Sequence, residues 1–282
     1  MRHHFTVDVE EYFHASAMES LCPAGDWDSL ERRSVPVMHR LLDRMAERGV
    51  RGTFFVLGWL AQREPEMVKR IAREGHEVAS HGWDHRRIPM QTPEELRVSL
   101  RDSRALLEDL SGGAVRGFRA PSFSIVPGLE WALDLLVEEG YRYDSSLFPV
   151  KQHPTYGYPC PRDPHWIRRL AGDLLEIPPC TLRSFGTDLP AAGGAYFRFF
   201  PYQLLGSALR QAAGRGHPGT FYIHPWEFDP VLPVASVPFL TRLRMTGGTT
   251  GNWRRVDRLL EDFDWVPMGE TLDALDPSAE AA

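Results

Sequence analysis

Two histidines four residues apart, His81 and His85, flank Gly-Trp-Asp in the stretch SHGWDH, directly after the apolar pair Val78-Ala79. Histidines at that spacing can reach one ion from a single helical turn or a tight loop. One carboxylate then completes a facial set that leaves positions open for water and substrate. The stretch TVDVE supplies two carboxylates, Asp8 and Glu10. Side chains alternate along a strand with period two, so both lie on the same side. One can hold a metal while the other deprotonates a water. Arg119, in RAPSF, can orient that base through a charge-assisted hydrogen bond. His224, in TFYIHPWEF, can protonate a leaving amine. Each of these residues alone reads equally well as an ordinary loop polar group. Together they suit metal-assisted hydrolysis of an amide.

The elements that must position them are short β-like runs alternating with amphipathic helical stretches. HFTVDV, GTFFVLG, HEVASH, VRGFRAP, YRYDSS, DLLEIPP, GTFYIHP and DWVPMG read as strands. Between them, Ser34 is expected to cap a helix with apolar positions Val37, Leu41, Leu42 and Met45, closed by Gly49. PEMVKRIAREG, the capped run from Thr92 to about Leu110, LEWALDLLVEEG, PYQLLGSALRQAAGRG and Asn252–Phe263 read as further helices. After Pro149 the pattern gives way to a stretch rich in Pro, Gly and aromatics. Repeated strand–helix units mean a parallel α/β sheet, either a barrel or a doubly wound sheet. Both put their chemistry at the C-terminal ends of strands, and there Asp8, Glu10, His81, His85, Arg119, Asp144 and His224 all fall.

Composition narrows the class. The 282 residues, 43% hydrophobic and 25% charged, suit one globular domain over 1–282. A net charge of -6 leaves no basic excess to neutralise phosphates, so nucleic acid is not expected as a partner. Cys22, Cys160 and Cys180 are too few and too widely spaced for a disulfide framework or a zinc ribbon, which points to a reducing compartment. The start MRHHFTVDVEEYF lacks the apolar run of a signal peptide, and no run is long enough to span a membrane. A cytoplasmic location is the expectation. Nothing in the sequence sets the oligomeric state.

TVDVE, SHGWDH, RAPSF, YRYDSS and YIHPWEF, in that order, resemble the successive motifs of polysaccharide deacetylases, carbohydrate esterase family 4 with the NodB homology domain. The resemblance runs from Phe5 to about Phe228. DVE, GGAYFRFFP and HPWEFDP are most similar to the branch found with bacterial exopolysaccharide and exosortase (PEP-CTERM) loci, with a branch-specific part from about 229. The resemblance implies an irregular (β/α)7 barrel and metal-assisted removal of N-acetyl groups from amino sugars. It implies Asp8 as base, Glu10, His81 and His85 as ligands of a divalent metal, most plausibly zinc, Arg119 as support for Asp8, and His224 as acid. A backbone N–H after Pro121 is the implied oxyanion donor, and Phe123, Tyr196 and Trp226 are expected to meet the glycan.

Two departures from the family pattern stand out. Val9 takes the place of the second of two adjacent aspartates, and Gly82 follows the first metal histidine where Ser or Thr is usual. His76 reads as structural and His3 and His4 as surface polar groups, whereas His14 follows the first motif closely enough to line the pocket. Asp144 is expected to support the site rather than act in it. Two other functions keep the fold: an allantoinase-like hydrolase of cyclic amides, and a catalytically silent glycan-binding module.

Overall fold

The first strand, β1 (His3–Val9), is buried along its whole length. Its alternation splits it between two environments. Phe5, Val7 and Val9 join the main apolar core, while Thr6 and Asp8 both contact Arg119. The computed structural model of the protein describes residues 1–151, 153 and 156–276. Going along the chain, β1 is followed by α1 (Ser34–Ala46), β2 (Thr53–Val56), α2 (Gly58–Arg63), α3 (Pro65–Arg73), β3 (Glu77–Ser80), α4 (Pro93–Ser111), β4 (Gly117–Phe118), α5 (Trp131–Glu138) and β5 (Tyr143–Asp144). Then come β6 (His165–Arg169), β7 (Gly172–Glu176), β8 (Thr181–Ser184), β9 (Thr187–Pro190), α6 (Gly194–Phe199), α7 (Tyr202–Gly214) and β10 (Thr220–Ile223). The chain finishes with α8 (Phe239–Thr246), α9 (Asn252–Asp262), β11 (Trp265–Val266) and α10 (Met268–Leu275).

The sheet order is β10-β1-β2-β3-β4-β5-β7-β6, with β11 also paired to β1. Every pairing in it is parallel except the hairpin of β6 with β7. Beyond the end of β7, a single parallel bridge joins Pro179 to Thr220 of β10, and the Cys180 N–H donates to the Thr220 carbonyl at 2.9 Å. The strands β1, β2, β3, β4, β5, β7 and β10 therefore make a ring whose thinnest joints are this bridge and the single β3–β4 pair, Ser80 with Phe118. This is the irregular α/β barrel expected. Inside it, Phe55, Ala79, Tyr143, Leu175 and Ile177 form a second small core, closed at the N-terminal mouth by Met268 and Leu272 of α10. The Met268 and Gly269 N–H groups at the start of α10 donate to Thr53 Oγ1 (2.8 Å) and Glu77 Oε2 (2.9 Å), so the plug is tied to the strands it closes.

Local signals explain most elements, and two of them act differently than expected. Thr92 makes the anticipated capping box with Glu95, Pro93 opens α4, and Gly112 closes it in a left-handed conformation. Ser34, however, is the first helical residue of α1 and not its cap. The cap is the distant Glu11 carboxylate, which accepts from the Ser34 N–H (3.0 Å), the Ser34 hydroxyl (2.6 Å) and the Arg33 N–H (2.9 Å). This pins the turn after β1, Tyr12–His14, beside the site. The region after Pro149 is also more ordered than its composition suggests. It holds the hairpins β6–β7 and β8–β9, in which β6, β8 and β9 have half-exposed faces and so lack the continuous apolar runs of the ring strands.

Candidate active site

The C-terminal ends of the ring strands bring the expected residues to one cavity of about 200 Å³. Asp8, Glu10, His85, Phe123, Tyr196, His224 and Trp226 line it. Pro121 does not, although its neighbours Ser122 and Phe123 do, and the buried His81 and Arg119 stand behind the lining.

Glu10 lies just beyond β1, and His81 and His85 just beyond β3. One ligand atom from each of the three lies within 4.8 Å of the others. Glu10 Oε2 is 2.7 Å from His85 Nε2 and 4.0 Å from His81 Nε2. The close contact to His85 is within hydrogen-bonding distance but outside hydrogen-bond geometry, so a buried carboxylate oxygen faces two ring nitrogens without a bonded partner. Its other oxygen accepts the Trp226 indole N–H at 2.8 Å. Burial works against charge on Glu10, but neighbouring His85, and then His224 and His81, outweigh it and hold the carboxyl well below the usual carboxylate range. His81 is pushed down to about 4, chiefly by burial, and is therefore neutral. Its Nδ1 is 2.7 Å from the Arg119 carbonyl, which can only accept, so Nδ1 carries the proton and Nε2 presents a lone pair. An ionised carboxylate and imidazole lone pairs converging on one point form a donor set that fits a divalent cation such as zinc.

The backbone is shaped for this. His85 adopts φ +57°, a left-handed conformation costly for a residue with a side chain. Gly82 has φ +79°, which explains why glycine stands where a Ser or Thr is usual. Its N–H bonds Ser80 Oγ (3.1 Å) and its carbonyl accepts from Gly58 (2.9 Å), so the departure leaves the loop satisfied.

Beside this set, the Asp8–Arg119 pair is almost wholly buried. Arg119 Nη1 donates to Asp8 Oδ1 at 2.6 Å and to Thr6 Oγ1 at 2.8 Å, and Nη2 donates to Ser145 Oγ at 2.9 Å. Asp8 Oδ2 is left 3.7 Å from His224 Nε2. Asp144 works from behind, as expected: its Oδ1 accepts from Ser146 Oγ (2.5 Å), whose oxygen in turn accepts the Ala120 N–H (2.8 Å). That fixes the strand end carrying Arg119.

His224 is held by residues whose roles the sequence did not disclose. Glu227, fully buried, accepts the His224 backbone N–H (3.0 Å) and sits 3.3 Å from Nδ1. Arg198 donates to the other Glu227 oxygen at 3.0 Å. Burial works against a charged His224, but Glu227, through hydrogen bond and charge, together with Glu10 and Asp8, raises it to about 9. The imidazolium is thus the form at neutral pH. Trp226 stacks on this ring at 4.9 Å between centroids. The signal for Glu227 was a carboxylate three residues after a histidine, the spacing of a capping box. Nothing in the local sequence pointed to Arg198. His14, on the capped turn, completes the surroundings with its ring nearly parallel to that of His85.

Two family models match parts of the chain. The Polysaccharide deacetylase family matches residues 27–136, and a domain family of unknown function, DUF3473, matches residues 145–273. A peptidoglycan-N-acetylglucosamine deacetylase of Bacillus cereus is 33% identical over 96 residues, which is 34% of this chain and 35% of that protein. The matches to curated relatives of this kind span between 16% and 39% of their length. In fold, the chain is similar to a candidate polysaccharide deacetylase from Mycobacterium smegmatis (TM-score 0.63, 22% identity, 98% of this chain and 91% of the other). It is also similar to Puue allantoinase (TM-score 0.60, 17% identity, 97% and 90%). The family match and the relatives together support the polysaccharide deacetylase family.

Proposed function

We propose that the protein is a metal-dependent deacetylase that removes N-acetyl groups from amino sugars of a bacterial exopolysaccharide or of its lipid-linked precursor. The observation that carries this reading is a Glu10–His81–His85 donor set and a charged His224 on the two sides of one carboxylate, Asp8. When bound there, zinc or another divalent ion supplies Lewis-acid polarisation of the amide carbonyl and acidifies the attacking water. Asp8 takes the proton of that water on Oδ2, while Arg119 keeps Oδ1 occupied and the carboxylate oriented. His224 gives its Nε2 proton to the amine nitrogen as the C–N bond breaks, which yields acetate and a free amino sugar. The Phe123 N–H is already bonded to the Ala120 carbonyl at 3.0 Å, so the Ser122 N–H is the candidate donor to the developing oxyanion. Phe123, Tyr196 and Trp226 offer faces on which a sugar ring can stack. The free cysteines Cys22, Cys160 and Cys180 suit a reducing, cytoplasmic setting. Among the described residues, no helix is long and apolar enough to cross a membrane.

The test is acetate release from a panel of N-acetylated glycans by metal-loaded protein, with allantoin-type cyclic amides in parallel. Release from the glycans alone is expected. Turnover of the cyclic amides alone would move the protein to the other reaction on this fold, and saturable glycan binding without any turnover would make it a silent module.

A further inference from the structure

The outward face of α8 carries apolar side chains that the other described residues leave exposed. Phe239 and Leu240 are 75% and 76% exposed, and Leu243 is 47% exposed. Leu243 lies four residues after Phe239 and three after Leu240, so it neighbours both on the helix surface. Phe199, 51% exposed, extends the patch: a Cβ on Gly247 would lie 2.9 Å from its Cζ and 3.1 Å from Leu243 Cδ1, so the glycine lets the two side chains meet. The charge around the patch is unusual for this protein. From 230 to 256 the chain holds four arginines, Arg242, Arg244, Arg254 and Arg255, and no Asp or Glu, within a chain of net charge -6. Arg242 and Arg244 are exposed and have no ion-pair partner among the described residues.

This surface is fixed to the active site. Arg244 and Met245 line the cavity. The Arg198 guanidinium donates to the carbonyls of Arg244 (2.7 Å), Met245 (3.2 Å) and Gly247 (2.9 Å) at the end of α8, and to Glu227 behind His224.

We infer that the α8 face docks on an anionic lipid bilayer and so presents the cavity mouth to a glycan held at the membrane surface. Exposed aromatic and aliphatic side chains beside unpaired arginines are the combination that inserts at the headgroup level while the cations meet anionic lipids. A second copy of the chain fits less well, because a two-fold pairing would set Arg242 against its own equivalent. The membrane-held glycan rests on the proposed deacetylase reading; the docking itself does not.

Vesicle co-sedimentation tests it. Wild-type protein is expected to bind phosphatidylcholine vesicles containing about 30% phosphatidylglycerol and to leave pure phosphatidylcholine largely unbound. The exposed triple variant F239S/L240S/L243S should lose about tenfold or more of that binding, and Arg242→Glu should weaken it most at low salt. Acetate release from a water-soluble glycan should be unchanged in both variants. Equal binding by wild type and triple variant overturns the inference. So does self-association without vesicles that the triple variant abolishes. Absence of wild-type turnover on any glycan would count against the deacetylase reading and leave the vesicle result standing.

Discussion

The two halves of the site are built by different means. The half proposed to hold the metal, with Asp8, Glu10, His81, His85 and Arg119, sits at the ends of neighbouring parallel strands, where ladder register sets each position. The acid-side half, with His224, Trp226, Glu227 and Arg198, follows the last ring strand and is placed by a buried ion network. Arg198 and Glu227 have almost no exposed side-chain surface, and Asn252 Nδ2 donates to the Glu227 carbonyl at 2.6 Å. Where the backbone ladder alone does the positioning, as at His81 and His85, a substitution at the site should change chemistry and spare the fold. Where buried charges do it, at Arg198–Glu227 and also at Asp8–Arg119, chemistry and stability should fall together.

The largest expected effect is on the metal side. His81→Ala and His85→Ala should each lose the metal and with it measurable turnover, checked by elemental analysis and acetate release. Full metal retention in both would sink the ligand assignment. Next, Asp8→Asn should keep the metal and lose roughly 10²–10⁴-fold in turnover, the usual worth of a general base, whereas Glu10→Ala should lower metal affinity itself. The opposite pattern of metal contents would show that the two carboxylates have exchanged roles. His224→Ala should cost a similar 10²–10⁴-fold on an amide with the metal retained, and near-normal kcat would remove it as the acid.

The acid side should then show its dual character. Arg198→Met leaves the Glu227 charge buried without its partner and should cost about 3–5 kcal/mol of stability, read from denaturant midpoints. A cost under about 1 kcal/mol, as at surface ion pairs, would show that the network does not hold this half together. The smallest effect is a shift of pH profile. His224 is raised from 6.5 to about 9, so its charged form and the stability linked to it are complete below about 6.5 and are lost as pH rises through about 9. Glu227→Gln removes the largest raising influence, so the alkaline limb of kcat should move to lower pH. An unmoved limb would mean that Glu227 does not set the charge of His224.

The same contrast explains what could be read from sequence. Asp8, Glu10, His81, His85, Arg119 and His224 were visible because each follows a run whose period marks a strand, and the barrel gathers strand ends by construction. Thr92 declared its helix through a local capping box. Glu11 did not, because the helix it caps begins 23 residues further on, at Ser34. Arg198 was hidden for the same reason: its partners at Glu227, Arg244 and Met245 lie far along the chain. The strands β6, β8 and β9 escaped notice because their faces are half exposed and leave no apolar run. Contacts at long sequence separation leave no periodic trace.

The ring is held thinly at two joints. Between β3 and β4 it rests on the Ser80–Phe118 pair and the Arg119 N–H, and between Pro179 and Thr220 on one bridge and the Cys180 N–H. A ring yields first at its thinnest joints, and the second of these lies under β10, the strand that leads to His224. Opening it would part β10 from the end of β7 but keep His224 beside Asp8, because β10 stays laddered to β1 from His4 to Val7. Amide exchange should register this as early loss of protection at Cys180 while Phe55 and Val56, in the laddered arc, stay protected. Simultaneous exchange at all three would mean that the barrel opens as a whole.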